Sequence, residues 1–242
     1  MVRLVGLNEY ADLPREDVAW IIEDLIPQPG IVLLVGDPKQ GKSFLALQIA
    51  LAIAQGAKQF MGKKVRQGTV LYVMFESEFA WRKRMLELRQ AAISLDGPLY
   101  MVHPEDQPPR VNILTSTSYV FLRDAIAKSN PNLVILDVLR ELHSGDENDA
   151  LQMKVVGDAL STLCHGRGLL LLHHPRKSMD GAPRTSNPVQ AARGSSYLTG
   201  KVESIWLMHE GYLHIESRLT GKQRIRMIQG PNGLWAFPNV IT

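Results

Sequence analysis

The chain has 242 residues, of which 45% are apolar and 21% charged, and a formal net charge of +3. This excludes a disordered or fibrous chain and suits one sizeable α/β core. No apolar run approaches the ~18 residues that cross a membrane, and "MVRLVGLNEYADLPRED" lacks the apolar stretch of a signal peptide, so a cytoplasmic protein without a membrane partner is expected.

Residues 1–28 read as an N-terminal arm and 29–242 as a single larger domain. Within the arm, "EDVAWIIEDLI" spaces its apolar residues as a helix does, which predicts a segment packed on the body, ended by "PQPG". Strands and helices then alternate. "IVLLV" (31–35) is wholly apolar, as in a strand buried on both faces. Residues 43–54 form a helix apolar nearly all round, with Gly56 just past its end. "TVLYVMF" (69–75) is a second strand, 78–92 a helix and "PLYMV" (98–102) a third strand. Residues 116–128 are helical, "LVILD" (133–137) is a strand, 149–165 a helix and "GLLLLHH" (168–174) another buried strand. The one cysteine, Cys164, falls in that last helix as a small apolar residue and suits a reducing compartment. From 202 onward, "VESIWLMH", "YLHIESR", "QRIRMIQ" and "LWAF" are strand-like runs separated by turn residues. The pattern predicts an α/β fold, a mostly parallel central sheet flanked by helices, with C-terminal antiparallel hairpins extending one edge.

"GDPKQGKSF" carries the clearest chemistry. Gly36, Gly41, Lys42 and Ser43 fit the phosphate-loop pattern, between a buried strand and a helix. Its glycines let backbone N–H groups face phosphates, and the helix start adds positive potential. The nucleotide-binding set is Gly36, Asp37, Pro38, Lys39, Gln40, Gly41, Lys42, Ser43 and Phe44. Lys42 would reach the β- and γ-phosphates, and Ser43 would ligate Mg²⁺ with Asp137 at the end of "LVILD". ATP and Mg²⁺ are thus the expected cofactors. Hydrolysis also needs a group to orient water. In many ring ATPases this is a glutamate directly after the metal-binding aspartate, but Asp137 is followed by Val138. The other place known for it in such enzymes is the end of the strand after the phosphate-loop helix, where "VLYVMFES" supplies Glu76, in preference to Glu78.

The chain has no N-K-x-D, and Asp137 does not begin D-x-x-G, which argues against a GTP switch. It has no L-S-G-G-Q, which argues against a transporter ATPase. A small-molecule kinase would carry an arginine-rich lid rather than C-terminal hairpins.

With a glutamate on the second strand and hairpins at the C-terminus, the chain resembles the RecA-like P-loop NTPases. More narrowly, it is similar to the RepA-type hexameric helicase group, near the DnaB and RadA cores. The likeness runs from about residue 17 to 236. It rests on the phosphate loop, "VLYVMFESE" with "WRKRMLEL", "LVILDVLRELHSGDENDA", "LLLLHHPRKS" and "AARGSSYLTGKVESIWLM".

The resemblance implies further roles. His174, in preference to His173, would be a sensor of the γ-phosphate. Arg193 would be an arginine finger entering a neighbouring subunit's site, with Arg218 second and Lys222 beside it. Residues 175–194 would form a pore loop in which Arg176, Lys177 and Arg184 contact single-stranded DNA. The acidic "HSGDENDA" (143–150) would repel DNA and start a helix. The expectation is an ATPase and DNA helicase, a hexameric ring serving replication of a plasmid, phage or mobile element. The alternative is a regulatory ATP-binding module without translocation.

Overall fold

The computed structural model describes residues 4–12, 17–75, 78–102, 106, 111–147, 149–175, 185–192 and 196–238. The chain opens with α1 (Leu7–Ala11), then β1 (Trp20–Ile22) and β2 (Ile26–Pro27). The core begins with β3 (Gly30–Val35), α2 (Lys42–Gln55), the short pair β4 (Gln59–Phe60) and β5 (Lys63–Lys64), and β6 (Val70–Met74). It continues through α3 (Glu78–Gln90), β7 (Leu99–Met101), α4 (Ser116–Ser129), β8 (Leu133–Asp137), α5 (Ala150–Leu163) and β9 (Gly168–His173). Two short helices follow, α6 (Pro188–Ala191) and α7 (Ser196–Lys201). The chain then forms β10 (Ser204–His209), β11 (Tyr212–Ser217), β12 (Gly221–Arg226), β13 (Ile228–Gln229) and β14 (Trp235–Ala236).

The eight-stranded sheet has the order β12-β11-β10-β3-β9-β8-β6-β7. From β10 to β7 every pairing is parallel, and β11 and β12 add antiparallel strands at one edge. Strands β3, β6, β8 and β9 bury nearly every residue because helices cover both faces. One face packs on α2, the β1–β2 hairpin and Trp81 of α3. The other packs on α4, α5, α7 and the turn Leu139–Leu142. Asp158 ties α5 to α7 through Tyr197 and Lys201. Helix α2 is buried nearly all round, as its uniformly apolar sequence predicts.

Two expectations are corrected. "AWIIEDLIP" is not helical: Trp20–Ile22 and Ile26–Pro27 pair as an antiparallel hairpin. Ile21, Ile22, Leu25 and Ile26 are all buried there, a spacing that two strands across a short turn satisfy as well as a helix does. Nor does "LWAF" extend the main sheet. Trp235–Ala236 pairs with Ile228–Gln229 in a separate hairpin, and Trp235 reaches back to α2.

Among the described residues Trp206 is the largest fully buried side chain, and its indole N–H donates to Ser204 Oγ at 2.9 Å. Trp206→Ala is expected to cost about 3–5 kcal/mol, read as a lowered urea midpoint, with Trp206→Phe losing clearly less.

Candidate nucleotide site

Strand β3 is flanked by β10 on one side and β9 on the other, and the chain leaves its C-terminal end through residues 36–41 into α2. This is where parallel α/β sheets bind ligands. Gly41 precedes the helix with φ +87°, a backbone state that strongly favours glycine. The Asp37 amide donates to Gln40 Oε1 at 2.8 Å, which closes the loop. Lys42 is 6% exposed. Its ammonium donates to the carbonyls of Gly36 at 2.7 Å and Asp37 at 2.8 Å, and lies 3.3 Å from His174 Nδ1.

The neighbouring strand adds to the same point. His173 O accepts the Gly36 amide at 3.3 Å, which aligns the end of β9 with the start of the loop. Burial and the charge of Lys42 hold the His174 ring below the usual histidine range, so it faces the ammonium as a neutral acceptor. His173 is more deeply buried, and desolvation pushes it down to about 4. Beside it, His143 has a wholly buried side chain with Nε2 3.6 Å from Glu147 Oε1. The interaction with His143 holds the Glu147 carboxyl below its ordinary value against the opposing effect of burial.

Asp137 ends β8 and is 3% exposed. Its Oδ2 accepts the Tyr72 hydroxyl at 2.8 Å, and its carbonyl accepts the Phe75 amide at 3.0 Å. Tyr72 comes from β6, the strand beside β8. Sequence reasoning missed it, though it is the one side-chain hydroxyl inside the apolar run "VLYVM". The hydroxyl of Ser43 and the carboxylate of Asp137 are hard oxygen donors and fit Mg²⁺, which would supply charge neutralisation to the phosphates when bound. Among the described residues no group of three or more His, Cys, Asp or Glu could hold a metal by itself.

The structure thus brings Lys42, His174 and the loop 36–41 together and buries Asp137 at the end of the next strand but one. Glu76, Arg176, Lys177, Arg184 and Arg193 lie outside the described residues. Arg218 is described: its guanidinium donates to the Gly200 carbonyl, in α7 of the same chain. Lys222 is exposed on β12, where Arg224 and Arg226 share its face by the two-residue period of a strand. Arg224 stacks over Tyr212 at 3.6 Å from the ring centroid. That three-cation stripe was another feature missed, although "KQRIR" shows the alternation. The acidic segment behaves as expected at its end: Asp149 caps α5, accepting from Leu151 N at 2.8 Å and Gln152 N at 3.2 Å.

A family model described as an AAA domain matches residues 4–180. Among solved structures, one described as an ATPase domain superposes with a TM-score of 0.60 at 13% identity, covering 86% of this chain and 84% of that one. A DnaB-like replicative helicase, solved in a study of its interactions with primase, gives 0.59 at 13% identity over 86% of this chain. This chain spans 57% of the length of that helicase. At such identity the likeness shows the RecA-like fold.

Tyr72→Phe removes a donor from a buried carboxylate and is expected to cost about 1–3 kcal/mol, measured by chemical denaturation. His173 resists protonation in the folded state but not in the unfolded one, where it titrates near 6.5. Stability is therefore full above that value and falls as pH drops toward about 4, by roughly 3 kcal/mol from this group. His173→Gln should flatten a melting-temperature profile across that window.

Proposed function

The chain belongs to the AAA domain family, and on that premise we propose that it is a Mg²⁺-dependent ATPase that assembles as a ring and moves on single-stranded DNA. The observation that carries the ATPase reading is the capture of the Lys42 ammonium by Gly36 O and Asp37 O beside His174. A buried cation held inside a loop of close backbone is poised to exchange those acceptors for phosphate oxygens. In this reading Lys42 and the backbone of 36–44 bind the phosphates, and Ser43 and Asp137 hold the metal. Glu76 orients water, and His174 passes the state of the γ-phosphate to β9.

The ring and the DNA are proposed from the fold shared with a solved ATPase domain and a DnaB-like replicative helicase, and from the cations themselves. Arg193 remains the first proposed finger. Arg218, whose exposed guanidinium donates to the Gly200 carbonyl, stays second, with exposed Lys222 beside it. Arg176, Lys177 and Arg184 are proposed to contact DNA phosphates. A second reading, an ATP-dependent regulatory module, draws support from residues 175–194, which include no aromatic residue to stack on bases.

ATPase assays on protein of measured oligomeric state decide between these. Stimulation by single-stranded DNA that fades steeply with salt is expected; turnover indifferent to DNA at low salt favours the module. Lys42→Ala should abolish turnover. Arg193→Ala should lower turnover by about 10³-fold or more while sparing ATP binding, and unchanged turnover would remove it as the finger.

A further inference from the structure

The phosphate loop is held from outside by a part of the chain almost two hundred residues away. The indole N–H of Trp235, on β14, donates to the Gly41 carbonyl at 3.1 Å. Trp235 is itself fixed by a reciprocal pair with α2. Gln48 Nε2 donates to the Trp235 carbonyl at 3.0 Å, and the Trp235 amide donates to Gln48 Oε1 at 2.8 Å. The rest of the hairpin is anchored independently. Phe237 meets Phe60 edge-on at 5.4 Å between centroids. A Cβ placed on Gly233 would come within 2.8 Å of the Phe44 ring, so the hairpin turn lies directly against the residue that follows Ser43. Arg84 covers that ring too, at 4.7 Å from its centroid.

The consequence lies in one peptide plane. Gly41 C=O and Lys42 N–H belong to the same planar trans unit, so they point in opposite directions. Gly41 has no side chain to limit its rotation. Among the described residues its carbonyl accepts, apart from the indole, only along the helix from Leu45 N, at 3.0 Å. A second hydrogen bond that pins the carbonyl on the hairpin side fixes the direction of the Lys42 N–H on the other. That N–H is one of the donors that a phosphate loop aims at its ligand.

We propose that Trp235 is a positioning residue for nucleotide binding, which sets the Gly41–Lys42 peptide plane and thereby preorganises the phosphate cradle. The proposal rests on the reading of residues 36–43 as a phosphate site. Its action is on phosphate and is therefore indifferent to the base.

The test compares wild type with Trp235→Phe, which keeps an aromatic ring and removes the donor. Dissociation constants for ATP and for inorganic tripolyphosphate are measured by calorimetry, with kcat, KM and the melting temperature of the nucleotide-free protein alongside. Both ligands are expected to weaken by the same factor, about three- to tenfold for one hydrogen bond. KM should rise with kcat within about twofold. Gln48→Met, which frees Trp235 from α2, should act in the same direction and carries the comparison if Trp235→Phe fails to fold. Affinities unchanged within about twofold, with or without a lower melting temperature, overturn the proposal and leave Trp235 a wall of the fold. A loss for ATP but not for tripolyphosphate also overturns it, making Trp235 a contact to the base. Wild type that binds neither ligand overturns the phosphate-site reading itself, a failure visible before any variant is compared.

Discussion

The Lys42 ammonium sits in a place where only 6% of the residue meets solvent. Burying a charge is expensive unless it is closely solvated by protein groups. Among the described residues its partners include backbone carbonyls of the loop and a neutral imidazole just past the end of the adjacent strand. That requirement explains much of the surrounding architecture. The loop must turn tightly enough to aim two consecutive carbonyls at one nitrogen. The end of β9 must stay in register with it, which the Val35↔His173 pairing and the Gly36 amide secure. The histidine must remain neutral, which burial and the ammonium both enforce.

The acid at the end of β8 obeys the same logic with the opposite sign. Asp137 is buried among apolar strands, and the Tyr72 hydroxyl from β6 supplies a donor to one of its oxygens. Each group is therefore met from a neighbouring strand as well: Lys42 by His174, just past the end of β9, and Asp137 by Tyr72 of β6. The parallel core makes this possible, because all of these strands deliver their C-terminal ends to one rim.

Much of this was legible in the sequence. Wholly apolar runs marked β3, β6, β8 and β9, because strands covered on both faces have no room for alternation. The phosphate loop announced its own context. Less was legible where a pattern had two solutions. Ile21, Ile22, Leu25 and Ile26 fit a helix face and also fit two short strands across a turn; the positive φ of 59° at Asp24 belongs to the second solution and has no sequence signature as strong as glycine. Long-range partners were the other gap. Nothing local to Gly41 foretells an indole from residue 235, and nothing in "VLYVM" says which acid its tyrosine will meet.

The two ends of the main sheet differ in a way that bears on how copies of the chain could meet. At one end β7 is only three residues long. At the other, β12 carries exposed Lys222, Arg224 and Arg226 in alternation. Short strands and edge cations are the means by which sheets avoid adding a stranger's backbone. Continuation of the sheet from one molecule into the next is thus disfavoured at both borders. Contact between copies is left to side chains and loops, whose bonds break and re-form far more readily than a shared ladder. In the ring proposed above, whose subunits would shift against each other at each turnover, a sheet that ends at its own edges would be the more useful construction.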